Sequence, residues 1–223
     1  MSMILEAVLD GEDVARVRAG LADLPWASGK RTAGSTARKA KDNLQADGAD
    51  ARTLALERFV LEALRRHPLF EIAARPARFS RVLFSRYEPG MAYGAHTDDA
   101  LIGADDDKLR TDLAFTVFLA DRHSYDGGEL VVESALGAQA IKLGAGDGIL
   151  YACGAIHSVA PVTRGERYAA VGWIESYSAD AAQREVLFDL SVSRARLAAA
   201  GAAHEETLRL EKSISSLLRM WAR

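Results

Sequence analysis

His96 and Asp98, one residue apart, with His157 further along and Arg167 ten positions beyond it, are the residues of this chain whose types could do chemistry together. Two imidazoles and one carboxylate fill one face of an octahedral metal and leave three positions open, a set that suits non-haem Fe(II) and leaves room for oxygen. Residues two apart in a strand point the same way, so His96 and Asp98 would face one ion; in a loop the spacing permits chelation without enforcing it. A water-tolerant surface turn through Thr97, Asp98 and Asp99 is the plain alternative. His157 follows the tight turn Gly146-Asp147-Gly148 and the apolar run Ile149-Leu150-Tyr151, and Gly154 lets the chain return toward the sheet. Arg167 opens Arg-Tyr-Ala-Ala-Val-Gly-Trp, so its guanidinium sits among small and apolar neighbours and needs an anion, whose carboxylate its donor fork would match. An anionic cosubstrate supplies one; a protein carboxylate, or exposure at a strand edge, is the other solution.

The elements that must position these residues are short strands between helices. Asp10 is placed to cap a helix from Glu12 to Leu24 with Val14, Val17 and Leu21 on one face. Residues 27–50 are polar and aperiodic and read as a long loop with short turns. Leu54, Leu56, Phe59, Val60, Leu61 and Leu64 then predict a second helix ending before Pro68. From Phe79 the texture turns to β: Val82 and Phe84, Phe115 to Phe118, Leu130 to Val132, Ala140 to Leu143, Gly148 to Tyr151, His157 to Pro161 and Tyr168 to Ile174. Strands this short without helices between them indicate a sandwich or barrel, mainly β, in place of alternating βαβ units. The division expected is a domain over 1–177 and a helical extension over 178–223. The extension reads as two helices parted near Gly201, packing onto the sheet, with a homo-oligomer through the same apolar stripe as a second use.

With 223 residues and nearly half of them apolar, the chain can bury a substantial core without staples. A net charge of -3 gives no general basic field for nucleic acid or an anionic membrane. No basic stripe with interleaved stacking aromatics argues for nucleic acid. The start lacks the pattern of a secretory leader, and no segment is long and apolar enough to span a bilayer, so a cytoplasmic protein is the expectation. Cys153 is the single cysteine and forms no intrachain disulfide; it reads as a packing thiol.

Six segments together carry a resemblance: Arg86-Tyr87-Glu88-Pro89-Gly90-Met91, His96-Thr97-Asp98, Arg110-Thr111-Asp112-Leu113, Tyr125-Asp126-Gly127-Gly128-Glu129-Leu130, His157-Ser158-Val159, and Pro161 through Arg167. In this order and over nearly the whole chain, the sequence resembles the Fe(II)- and 2-oxoglutarate-dependent dioxygenases, and within them the bacterial PKHD-type hydroxylases of the prolyl 4-hydroxylase-like group. The resemblance implies a double-stranded β-helix (jelly roll) with iron on His96, Asp98 and His157. It implies that Arg167 pairs with the distal carboxylate of 2-oxoglutarate while Tyr87 lies near the metal-chelating end. A tyrosine that often assists at the distal carboxylate is replaced by Phe118, with Thr116 as a candidate substitute. Gly127 and Gly128 are read as a structural turn. The resemblance also makes Tyr93 and Trp173 candidates to line the substrate opening, and Asn43, in Lys41-Asp42-Asn43, a candidate lid or substrate contact; core and surface-loop roles are the alternatives.

The reaction expected from this resemblance is hydroxylation of a C–H bond coupled to conversion of 2-oxoglutarate and O2 into succinate and carbon dioxide, with ascorbate as an auxiliary reductant. The substrate would be a prolyl or other peptidyl side chain, or a small molecule. Neither histidine serves as a general base, because coordination occupies its lone pair. Two rival readings are a cupin-like metal dioxygenase without 2-oxoglutarate, which leaves Arg167 with less purpose, and a non-enzymatic iron or metabolite sensor.

Overall fold

Inward and outward side chains alternate along the strand Arg167–Ser176, and that alternation organises the computed structural model, which describes residues 2–34 and 37–222. Tyr168, Ala170 and Ile174 enter the core shared with the helices, while Arg167, Val171 and Trp173 line a cavity on the opposite face. This strand is central in an eight-stranded antiparallel sheet in the order Met3–Leu5, Gly148–Ala152, Leu113–Phe118, Arg167–Ser176, Leu83–Tyr87, Leu44–Ala46 and Trp26–Ser28, with Pro76–Phe79 also paired to it. A five-stranded sheet faces it, in the order Gly137–Ile141, Leu130–Ser134, His157–Val159, Ala92–His96 and Lys41–Asp42. The two sheets form the expected double-stranded β-helix, with helices at both ends of the chain.

Helices α1 (Gly11–Ala22), α2 (Ala37–Ala40), α3 (Ala51–Arg66) and α4 (Pro68–Ala74) precede the main strands, and α5 (Ala181–Ala199) and α6 (His204–Trp221) follow them. Asp10 caps α1 by accepting from the Asp13 N–H at 2.8 Å, as its position predicts. The helix expected to stop before Pro68 does so, but Pro68 then opens α4, where its missing N–H costs nothing. Val17, Leu21, Val60, Leu64 and Phe70 from these helices pack on Phe84, Phe115, Val117, Leu150 and Ile174 of the main sheet. A second cluster, including Ala114, Phe118, Leu130, Val132, Ile149, Tyr151 and Cys153, fills the space between the sheets. Cys153 is a buried packing thiol beside Asp98, and burial pushes it up from its ordinary pKa.

Two expectations need correction. Residues 27–50 are not simply a loop: Lys41–Asp42 pairs with Ala92–His96 in the smaller sheet, and Leu44–Ala46 pairs with Leu83–Tyr87 in the larger. One short run therefore crosses between the sheets and closes that side of the sandwich. The C-terminal helices part at Gly201 as expected, but α5 packs against α6 and α4, with Arg75 Nη2 donating to Ser191 Oγ at 2.6 Å. The tail therefore reaches the sheet largely through α4, whose Phe70 contacts Phe79 and Phe115.

Glu57 ties α3 to the main sheet. Its buried carboxylate accepts from Arg81 Nε at 2.6 and 2.9 Å and from the Val82 N–H at 3.1 Å. Glu57→Leu leaves the Val82 N–H without a partner and should cost about 2 kcal/mol, read as a lower midpoint in urea unfolding.

Candidate active site

His96 ends its strand and His157 begins the neighbouring one, where the two residues are direct cross-strand partners. Their rings lie 4.3 Å apart between centroids. Each Nδ1 is fixed by a backbone carbonyl two residues earlier, His96 on Gly94 O at 2.8 Å and His157 on Ala155 O at 3.0 Å. With Nδ1–H donating, each Nε2 keeps its lone pair for the cavity, which is how metal-binding imidazoles are oriented. Asp98 lies beyond the end of the strand, in irregular backbone, so the chelating geometry comes from the loop and not from strand alternation.

Donor atoms of His96, Asp98 and His157 all lie within 4.8 Å of one another, and Asp98 Oδ1 is 3.8 Å from His157 Nε2. Asp98 Oδ2 is buried without a hydrogen-bond partner. Burial raises the Asp98 pKa, and it lowers that of His96 to about 4 with help from His157. Two imidazoles with their Nε2 atoms turned to the cavity, beside a carboxylate with an unpartnered oxygen, fit a divalent cation.

Arg167 lines the same cavity. It is 1% exposed, its Nε has no partner, and among the described residues no carboxylate lies within ion-pair distance. The guanidinium carbon stands 5.2 Å from the centre of the Tyr87 ring and 5.4 Å from that of Phe118. The protein-carboxylate alternative is thus not realised among the described residues. A buried cation between aromatic rings, facing a cavity of about 690 Å³ that also contains the donor triad, fits a carboxylate ligand.

The other expected residues converge on the same cavity. Tyr93 stacks on His96 with centroids 3.6 Å apart, so it braces an imidazole as well as lining the opening. Trp173 lies beside Asp98, with its buried indole N–H turned to that carboxylate but outside standard hydrogen-bond geometry. Asn43 is 2% exposed beside Tyr87, and neither amide atom makes a hydrogen bond of standard geometry. Tyr87 is buried, which raises its pKa. Thr116 lines the cavity with Tyr151, a residue whose sequence context places it only in a strand. Burial pushes the Tyr151 hydroxyl well above its ordinary pKa, and its ring lies 5.2 Å from that of His157. The period-two pattern Ile149, Tyr151, Cys153 is the signal that could have found it. Lys41 and Gln45, which no motif marked, line the cavity as well.

Gly128 has φ +67°, and a Cβ there would meet Arg167 Cδ at 3.0 Å and Tyr125 Cε2 at 3.1 Å. Its role extends from turn formation to the room it leaves for Arg167. Gly128→Ala should cost about 1–2 kcal/mol of stability, measured by urea unfolding, with Arg167 and Tyr125 forced to shift.

The 2OG-Fe(II) oxygenase superfamily profile matches residues 82–175, a span that contains His96, Asp98, His157 and Arg167. A PKHD-type hydroxylase of Hyphomonas neptunium is 43% identical over 221 residues, covering 99% of each chain. Another from Maricaulis maris is 48% identical over 223 residues, covering 100% of this chain and 99% of its own. Among solved structures, a Pseudomonas putida prolyl-4-hydroxylase shares the fold with a TM-score of 0.52 and 21% identity, over 78% of this chain and 92% of that one. The chain belongs to the PKHD-type hydroxylases, enzymes of the 2OG-Fe(II) oxygenase superfamily.

Among the described residues no helix is long and apolar enough to cross a membrane.

Proposed function

We propose that this enzyme hydroxylates a peptidyl side chain, a prolyl ring being the first candidate, with Fe(II) held by His96, Asp98 and His157 and 2-oxoglutarate held at its far end by Arg167. The observation that carries the reading is the triad and an unpaired buried guanidinium facing one cavity. When bound, the ferrous ion and 2-oxoglutarate supply with O2 the oxidation of substrate C–H to C–OH, giving succinate and carbon dioxide. The chain's own part is orientation and exclusion of water. Gly94 and Ala155 carbonyls aim the imidazoles, and Tyr93 keeps one ring in place. Arg167 would hold the distal carboxylate, and the hydroxyls of Tyr87, Tyr151 and Thr116, which line the same cavity, would be available to the ligand where Phe118 offers none. Trp173 and Tyr93 wall the side from which substrate approaches. Ascorbate serves as an external reductant in this reading.

The peptidyl substrate is supported by the family and by the name of the Pseudomonas putida relative, a prolyl-4-hydroxylase. The test compares substrate-dependent succinate formation by the native chain and His96→Ala under matched iron loading. Turnover in the variant should fall to background; equal turnover rejects the assigned centre. Labelled O2 should place one oxygen atom in succinate, which separates this reaction from that of a metal dioxygenase working without 2-oxoglutarate. Cell extract treated with enzyme, iron, oxygen and 2-oxoglutarate should contain a peptide heavier by one oxygen atom.

A further inference from the structure

The crossing run between the sheets presents Lys41, Asn43 and Gln45 to the cavity, and all three are buried, at 5%, 2% and 6% exposure. Three polar side chains in succession on an inward face oppose the usual apolar-in pattern, and each needs a partner. Lys41 has one: its Nζ donates to Thr32 Oγ1 at 3.2 Å, and Thr32 in turn donates to Gln45 Oε1 at 2.7 Å. The ammonium carries three donors, and among the described residues no carboxylate lies within ion-pair distance of it. It stands 5.0 Å from the centre of the Tyr93 ring, on the His96 side of the cavity. Burial lowers its pKa to about 8, against the opposing pull of Asp98, so it is charged at neutral pH. Asp98 is the carboxylate assigned to the metal, which leaves the lysine without a counter-ion of its own. Asn43, next along, offers an unpartnered donor and an unpartnered acceptor, the complement of an amide.

Resting on the peptidyl hydroxylase reading, we propose that this run is a substrate-recognition strip, in which Lys41 takes an acidic side chain of the peptide and Asn43 a neighbouring peptide amide. Thr32 holds the ammonium in place, and Gln45 holds Thr32. The enzyme then selects acidic peptide segments, and the lysine acts on substrate and not on 2-oxoglutarate, whose distal carboxylate belongs to Arg167.

Calorimetry on the full chain loaded anaerobically with Fe(II) and 2-oxoglutarate tests this without turnover. The probes are blocked pentapeptides with a central proline and glutamate at each flanking position in turn, each paired with its glutamine isostere. One glutamate peptide should bind at least about 10-fold more tightly than its isostere, the effect of one charge-assisted contact. In Lys41→Met that preference should shrink to about 2-fold or less, while Lys41→Arg, which keeps the charge, should retain most of it. Thermal unfolding of each variant confirms that it is folded, and Asn43→Leu gives a second handle by weakening both members of the pair alike. Absent or equal binding of the pairs by the native chain overturns the proposal, as does a preference that survives Lys41→Met. A loss of 2-oxoglutarate affinity in Lys41→Met larger than the loss for the glutamate peptide also overturns it, assigning the lysine to the cosubstrate. Acid preference without oxygen gain on the peptide supports the strip and counts against the peptidyl hydroxylase reading instead.

Discussion

Arg167→Met is expected to raise the dissociation constant for 2-oxoglutarate by about 100- to 1,000-fold, because it leaves a carboxylate buried without its cation. The same substitution should have the opposite effect on the ligand-free protein. There Arg167 is 1% exposed with an unpartnered Nε, and the rings of Tyr87 and Phe118 flank its guanidinium. Removing an unpaired buried cation relieves a desolvation cost, so the variant without ligand should unfold at equal or higher denaturant. Ligand at 100 times its dissociation constant stabilises the native chain by about 2.7 kcal/mol, or roughly 5–10 °C in melting temperature. The variant should keep at most about 0.4 kcal/mol of that stabilisation at the same concentration. Arg167→Lys should fall between, since an ammonium cannot reproduce the two-pronged contact. If Arg167 were only structural, its loss would destabilise the ligand-free chain and leave the 2-oxoglutarate-induced shift intact.

Asp98→Asn is the second large effect. The amide keeps the shape of the side chain and removes the charge, so two neutral imidazoles must hold the cation unaided. Iron affinity should drop at least about 100-fold, and succinate formation should be lost with it. The pKa directions also set a pH dependence. His96 is held neutral down to about 4, whereas burial raises Asp98 above the ordinary carboxylate range. On acidification Asp98 is therefore protonated ahead of an ordinary carboxylate, and iron affinity should fall as pH drops through its raised pKa. In the metal-free protein the sign reverses. A raised carboxylate pKa means the folded state holds the proton more tightly than the unfolded one, so stability falls as pH rises from the ordinary range to the raised value. Asp98→Asn should remove that fall, which parallel urea titrations would show.

Much of this was legible in the residues because the signals are of two strong kinds. Long amphipathic helices announce themselves by period, strands such as Leu113–Phe118 by an unbroken run of buried apolar and β-branched residues, and the ordered histidines, aspartate and arginine by their types. The crossing run 41–46 escaped because its strands are two and three residues long and its inward side chains are polar. A hydrophobic pattern cannot report a face that turns Lys41, Asn43 and Gln45 toward a cavity. Pro68 marked the end of α3 correctly, yet the first position of a helix is also where proline fits best, so the same residue started α4. Tyr151 read only as part of an apolar strand because it is core on one side and cavity wall on the other. The docking of α5 on α4 includes Arg75 meeting Ser191, a contact between distant segments that no local pattern carries.

The sharpest check on a shared iron and 2-oxoglutarate cavity is a crystal structure of the full chain grown without oxygen in the presence of both. One ion should lie about 2.1 Å from His96 Nε2, His157 Nε2 and an Asp98 oxygen, with the far carboxylate of 2-oxoglutarate on Arg167. An ion bound elsewhere, or a ligand that leaves Arg167 untouched, would refute the assignment.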